Sequence, residues 1–270
     1  MCVFKFIFPF VIFLTIICGN KMAQNNPIDY KITIVYNNIP GDTTKGLSTG
    51  FGFSAWLEFG DDALLFDTGG DYVNLGDNLE KLKIDYKKMK AVFISHNHWD
   101  HVYGIPTAMG ASKGIAKVYA PAKSAKSILE QYPRMTIEGI VEAKEILPNI
   151  WSTGEMEVTY REIIFTEQSM IINKEGGLYI ITGCSHAGII EIVKKAKSMF
   201  PGKVVKFVTG GFHLNQLGDD EVMKISNQFV ELGVEKIAPS HCTGSRAIEL
   251  FEEEWKGNFM RMNLGDNYSF

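Results

Sequence analysis

Apolar positions along this chain cluster in short continuous runs rich in Val, Ile, Leu and Phe, broken by glycine, asparagine and charged residues. Runs of that length and composition read as strands, continuous where both faces are covered and alternating where one face meets water. They predict strands over Lys31–Tyr36, Phe53–Phe59, Ala63–Asp67 and Ala91–Ser95, with a polar loop over Gly41–Gly50. Asn78–Leu82, Val102–Met109 and Ala122–Gln131 carry helical spacing, and Ala116–Ala120 is a short strand between the last two. From Ile137 to Asn173 the pattern is of short β-like pieces, including Glu162–Thr166 and Gln168–Ile172. Beyond residue 177 it becomes regular. Strand Leu178–Thr182, helix Gly188–Phe200, strand Lys203–Thr209, helix Asp219–Leu232, strand Val234–Ala238 and helix Ser245–Trp255 follow in turn, with a last strand near Asn258–Asn263. The pattern is that of a mixed α/β (α+β) fold spanning residues 28–270, with a β-rich first half and a βαβα second half.

The polar residues at the strand ends carry the chemistry. Ala91–Ser95 runs directly into His96-Asn97-His98-Trp99-Asp100-His101, which holds three of the six histidines in the chain. The other three, His186, His213 and His241, each follow an apolar run of their own. Sites in α/β sheets form outside the carboxyl ends of strands, so four such ends are expected to converge. In an extended segment His96 and His98 face the same way and can grip one metal ion, while Asp100 and His101 turn toward a second position. Imidazole and carboxylate donors suit zinc, manganese or iron. A histidine such as His186 or His241, taken alone, reads equally as a hydrogen-bonded core residue. Trp99 reads as a pocket wall or a packing residue.

Composition narrows the partners. The formal charge is −4, from 27 cations and 31 anions, and no stretch is strongly basic, so a nucleic-acid interface is not expected. Residues 1–18 form an apolar run with one cation, Lys5, followed by polar residues to Asn26. This has the layout of a secretory signal peptide cleaved after Ala23, or of an uncleaved N-terminal anchor, which would be the one route to a membrane. Both readings predict an exported, extracytoplasmic protein. Its mature form retains two cysteines, Cys184 and Cys242, each close in sequence to a site histidine. They suit a disulfide in an oxidising compartment, or a place in the site itself.

His-x-His-x-Asp-His after a strand, with Asp67-Thr68-Gly69-Gly70 upstream, resembles the metallo-β-lactamase-fold superfamily. Three further strings, Gly183-Cys184-Ser185-His186-Ala187-Gly188, Gly210-Gly211-Phe212-His213 and Ser240-His241-Cys242-Thr243-Gly244, resemble the subgroup named for archaeal dihydropterin ribofuranosyl-aminobenzene-phosphate synthase. The resemblance implies an αββα sandwich with a metal site, usually dinuclear, at one edge. It implies His96, His98 and His186 around a first ion and Asp100, His101 and His241 around a second, with Asp67 supporting the ligand loop through hydrogen bonds. Many hydrolases of the superfamily carry Thr-Gly-Asp where this chain has Thr182-Gly183-Cys184, and that aspartate bridges the ions. Strand alternation sets Cys184 on the side of His186, where its thiolate is a candidate ligand; a small buried apolar cysteine is the competing reading. Cys242 reads as a packing residue. The glycine pair before His213 lets the backbone approach a ligand, which makes His213 a candidate contact for substrate or transition state.

The function these readings imply is a metallohydrolase acting on an ester, phosphoester or related small molecule, with two zinc ions (or manganese or iron). Asp100 would orient the nucleophile, and His213 would add a hydrogen bond in the transition state. The alternatives are a transferase like the subgroup's namesake, a mononuclear iron oxidoreductase and a non-catalytic metal-binding module. An exported location counts against the transferase, whose substrates are cytosolic. The segment Gly110–Asn173 is expected to form the substrate rim. Oligomeric state is not encoded in any motif.

Overall fold

The computed structural model describes residues 28–160 and 162–270; the predicted signal or anchor segment over residues 1–23 lies outside them. Strands β1 (Tyr30–Asn37), β2 (Phe53–Phe59), β3 (Asp62–Phe66), β4 (Met89–Phe93), β5 (Lys117–Pro121) and β6 (Ile137–Ile140) come first. With them come helices α1 (Tyr72–Lys81), α2 (Trp99–Val102), α3 (Ile105–Ala111) and α4 (Ala122–Gln131). The second half holds β7 (Glu142–Leu147), β8 (Ile150–Gly154), β9 (Met156–Tyr160), β10 (Ile163–Glu167), β11 (Met170–Lys174), β12 (Gly177–Thr182), β13 (Val205–Gly211), β14 (Ile237–Ser240) and β15 (Asn267–Ser269). Helices α5 (Ile189–Met199), α6 (Asp219–Glu231) and α7 (Ser245–Trp255) lie between its later strands.

Two sheets form, in the orders β15-β1-β2-β3-β4-β5-β6 and β14-β13-β12-β11-β8-β7, with β9 and β10 as a separate hairpin. Both are mixed. β3 through β6 run parallel in the first, and β12 through β14 in the second, while the remaining pairs are antiparallel. Side-chain alternation explains the layers. Leu64 and Phe66 of β3 point into a core shared with Met170, Ile181 and Phe207 of the other sheet, while Ala63 and Leu65 point outward onto α1 and α3. Likewise Ile181 of β12 faces the shared core, and Leu178 and Ile180 face α5 and α7. Each sheet is thus covered on both faces, giving the αββα sandwich and explaining why the strands read as unbroken apolar runs.

Several boundaries differ from the sequence reading. The helix expected over Val102–Met109 is two helices, α2 and α3, because Pro106 near the start of α3 has no N–H to give the preceding turn. Asn78–Leu82 is the end of a longer helix that starts at Tyr72, capped by Asp71 accepting from the Asn74 backbone N–H; Gly76 in its middle hid the pattern. The last strand lies at Asn267–Ser269 rather than Asn258–Asn263. Met262 and Leu264 are buried as part of a loop tied back to Ile39 and Ile34, and only the following residues align beside β1. β13 runs on through Gly211, so it carries the chain to the residues before His213. Among the described residues no helix is long and apolar enough to cross a membrane.

Phe66 sits where the sheets close on each other, its ring 5.3 Å from that of Phe93 and 6.1 Å from that of Phe53. Phe66→Ala is expected to lower the unfolding free energy by about 3–5 kcal/mol, measured by denaturant titration. A loss below about 1 kcal/mol would mean that the two sheets do not close around this ring.

Candidate metal centre

Asp67, one residue past β3, organises the first loop. Its carboxylate accepts from the Ser95 backbone N–H (2.7 Å) and the Ser95 hydroxyl (2.7 Å), and also faces His101 Nδ1 at 2.7 Å. Since the Ser95 hydroxyl gives its proton to Asp67, it accepts from His96 Nδ1 at 2.8 Å, which leaves His96 Nε2 free to face the site. That nitrogen lies 3.0 Å from Nδ1 of His98. His98 is the N-cap residue of α2, so Asp100 and His101 rise on the helix's single turn and point to a neighbouring position.

The later strand ends complete two groups. His96, His98 and His186 form one, and Asp100, His101, Cys184 and His241 the other; within each group the candidate donor atoms lie within 4.8 Å of one another. In the second group Cys184 Sγ is 3.2 Å from His101 Nε2. The Asp100 carboxylate is 3.5 Å from His101 Nε2 and 3.3 Å from His241 Nε2. His241 is turned by its Nδ1, which donates to the Asn38 side-chain oxygen at 2.7 Å. The expected alternation of Cys184 with His186 is corrected here. β12 stops at Thr182 and Ser185 adopts a left-handed backbone, so Cys184 joins the His101 group while His186 joins His96 and His98. His213 lies with Cys184 and Cys242 in a third group, its ring 4.2 Å from that of His186. Cys242, expected only to pack, is therefore buried within reach of site residues; the two cysteines are free thiols. Asp67, Ser185, His213 and His241 all adopt left-handed backbone, which adds strain that the surrounding packing holds.

The two main groups are electrostatically unlike. Burial and the neighbouring imidazoles hold His96 well below the ordinary histidine range and take His186 down to about 2. Burial likewise lowers His98. These three therefore stay neutral, each with a lone pair to give. Burial opposes charge on His101 too, but the Asp67 and Asp100 carboxylates outweigh it and lift His101 to about 10. Burial would raise Asp100, yet hydrogen bonds from His101 and His241 bring it far below the carboxylate range. His213 is raised through its hydrogen bond to Cys242, and burial pushes the Cys184 thiol up.

Three residues outside the motifs also shape the site. Glu167, at the end of β10, is buried and accepts the backbone N–H groups of His186 (2.9 Å) and Ala187 (2.6 Å), so it fixes the loop that delivers His186. Asn38 orients His241. Phe165 packs its ring 4.8 Å from His98 and 5.1 Å from His186. No sequence spacing announced any of them; only the buried acid in an apolar hairpin was a signal to be found. Phe165 also lines a cleft of about 360 Å³ beside His98, together with Asn97, Lys123, Ser124 and Ile163. Most of that lining comes from the segment expected to form the substrate rim.

The sandwich has known counterparts. The sequence family described as "Anti-Pycsar protein Apyc1" matches residues 44–156. The solved structure of Tm1679, described as a metal-dependent hydrolase of the β-lactamase superfamily, superposes with a TM-score of 0.72 at 30% identity, over 88% of this chain and 98% of that one. The chain belongs to the metallo-β-lactamase-fold superfamily. The metallo-β-lactamase-fold protein YhfI of Bacillus subtilis shares the fold with a TM-score of 0.62 at 16% identity, over 90% of this chain and all of that one (100%). A curated relative from Methanocaldococcus jannaschii, 7,8-dihydropterin-6-methyl-4-(β-D-ribofuranosyl)-aminobenzene-5'-phosphate synthase, is 28% identical over 250 residues, covering 77% of this chain and 84% of the relative. Superfamily members of this kind are metal-dependent enzymes, and the donor groups here have the composition such a metal requires.

Burial raises Glu167 from 4.5 to about 7, against the two backbone N–H donors that lower it. A carboxyl whose folded value is raised stabilises fully below its unfolded value, and that contribution is lost as pH rises through the folded value. In metal-free protein this group should therefore cost about 3 kcal/mol of stability as pH goes from 4.5 to 7. Glu167→Gln is expected to flatten that part of the pH profile in denaturant melts. Parallel profiles for the two proteins would rule the assignment out.

Proposed function

We propose that the protein is a dinuclear metallohydrolase acting on an ester, phosphoester or related small molecule. The observation that carries this reading is the side-by-side placement of three neutral imidazoles and a carboxylate–imidazole–thiol group. His96, His98 and His186 would hold a first divalent ion, and Asp100, His101, His241 and Cys184 a second. The thiol favours zinc at the second position, since thiolate is a soft donor. Bound ions supply a water of lowered pKa and positive charge for the oxyanion that develops during attack. The chain's own residues do the rest. Asp100, held far below the carboxylate range, accepts a hydrogen bond from the nucleophilic water and aims it. His213, raised by Cys242, donates to oxygen on the reacting centre. Asp67, Ser95 and Asn38 keep the imidazoles in the tautomers that present lone pairs. The predicted leader places the mature enzyme outside the cytoplasm, a reading that N-terminal sequencing of the exported protein checks.

A second reading, transfer rather than hydrolysis, is favoured by the similarity to the M. jannaschii synthase. The discriminating experiment is metal quantification by mass spectrometry on purified protein, paired with turnover of phosphodiesters, lactones and thioesters. Two ions per chain with hydrolytic turnover support the proposal. One iron per chain, or turnover only when an acceptor amine is present, overturns it.

His98→Ala should abolish hydrolysis and empty the first position while the melting curve stays within a few degrees of wild type. Full turnover in metal-depleted protein would sink the proposal. Loading the second position should also be linked to pH. His101 is charged and the Cys184 thiol protonated in the metal-free protein, and both must lose a proton to ligate, so about two protons are released per ion bound near neutral pH. The affinity for this ion should weaken as pH falls, which calorimetry in buffers of different ionisation enthalpy measures directly.

A further inference from the structure

We propose that Phe51 and Trp99 form an aromatic shelf beside the candidate metal centre that receives a planar aromatic ring of the substrate. This rests on the hydrolase reading above and names the class of substrate it takes.

Both side chains are about half exposed, at 50% and 48%, although they flank a site whose histidines are buried or half-buried. Their rings are offset-stacked, with an interplanar angle of 27° and centroids 6.0 Å apart, which leaves part of each ring face open to a third ring. The inner edge of the shelf is the cluster itself. The Phe51 ring lies 5.0 Å from that of His241, and Trp99 stands in sequence between His98 and Asp100. At the outer edge Tyr103, also exposed, stands 5.9 Å from Trp99 with its ring tilted by 57° and bounds the shelf. A group lying on these rings would have its substituent held at the donor groups.

The shelf is also held firmly from beneath. Gly52 has φ +137, and a Cβ there would collide with the Asp100 carbonyl and reach 2.9 Å from the Gly70 nitrogen. A Cβ on Gly70 would meet the Trp99 indole at 2.7 Å and the Phe51 carbonyl at 2.5 Å. Two glycines thus let the backbones beneath both rings press together against the loop that carries Asp100. Half-exposed rings seated on so tight a base add little to the core, yet they offer stacking area at low entropic cost. A flexible alkyl chain gains only area from such a surface; a planar ring gains area and offset stacking.

Binding rather than turnover gives the cleaner test, because an aryl leaving group departs faster whatever the shelf does. Zinc-loaded full-length protein would be titrated with phenylphosphonate and with butylphosphonate, both inert, by calorimetry and by tryptophan fluorescence. Phenylphosphonate should bind about 5- to 10-fold more tightly and quench the fluorescence. Phe51→Leu and Trp99→Leu, which keep apolar area and so preserve folding, should each reduce that preference, and the double variant should abolish it. Equal binding, no binding of either compound, or a preference that survives in the double variant overturns the proposal. So does a dimer in sedimentation equilibrium that Trp99→Ser dissociates, since the surface would then belong to a second copy. If the aryl preference holds but no ester is hydrolysed, the reaction assigned to the site fails and the shelf stands.

Discussion

The carboxylate of Asp67 is the constraint on which the rest of the centre depends. It sits buried past the end of β3 and ties three things to one point: the backbone of Ser95, the hydroxyl of Ser95 and the ring of His101. Through Ser95 it sets the tautomer of His96, and through His101 it sets the second group. A buried carboxylate without partners would be costly; one with three hydrogen bonds locks the loop between β4 and α2 into a single arrangement. The two strands that supply it, β3 and β4, are parallel neighbours, so their carboxyl ends open on the same edge of the sandwich.

The same edge receives β12, β13 and β14 from the other sheet, and this brings a second electrical character to the site. One half holds imidazoles that burial keeps neutral; the other is a network of acid and base that carries a proton in the metal-free state. Neutral lone pairs invite an ion directly, whereas the network must exchange a proton for it. The difference predicts unequal metal affinities, apart from the difference between three donors and four.

How far the chain could be read without its structure varied with the kind of interaction. His96, His98, Asp100 and His101 were legible because they lie within six residues and their geometry is local. The strands were legible where both faces are buried, as in Ala63–Phe66. Breaks and edges were less so: Pro106 split a helix, and the last strand moved because Met262 and Leu264 found burial in a loop. Asn38 and Phe165 were not legible at all, and Glu167 only as an acid in an apolar hairpin, since each touches its histidine from another stretch of chain.

The sequence by itself determined the donor types, the strand ends that deliver them and the superfamily, because these follow from short-range spacing and burial periodicity. The tertiary structure alone decided which donors share a position. It moved Cys184 from the His186 group to the His101 group, because a left-handed turn at Ser185 ends the alternation of the strand. It also decided that Phe51 and Trp99 form one surface, because two close-packed glycine backbones, 18 residues apart in the chain, bring them together. Pairing of that kind rests on long-range packing, for which no local pattern carries a signal.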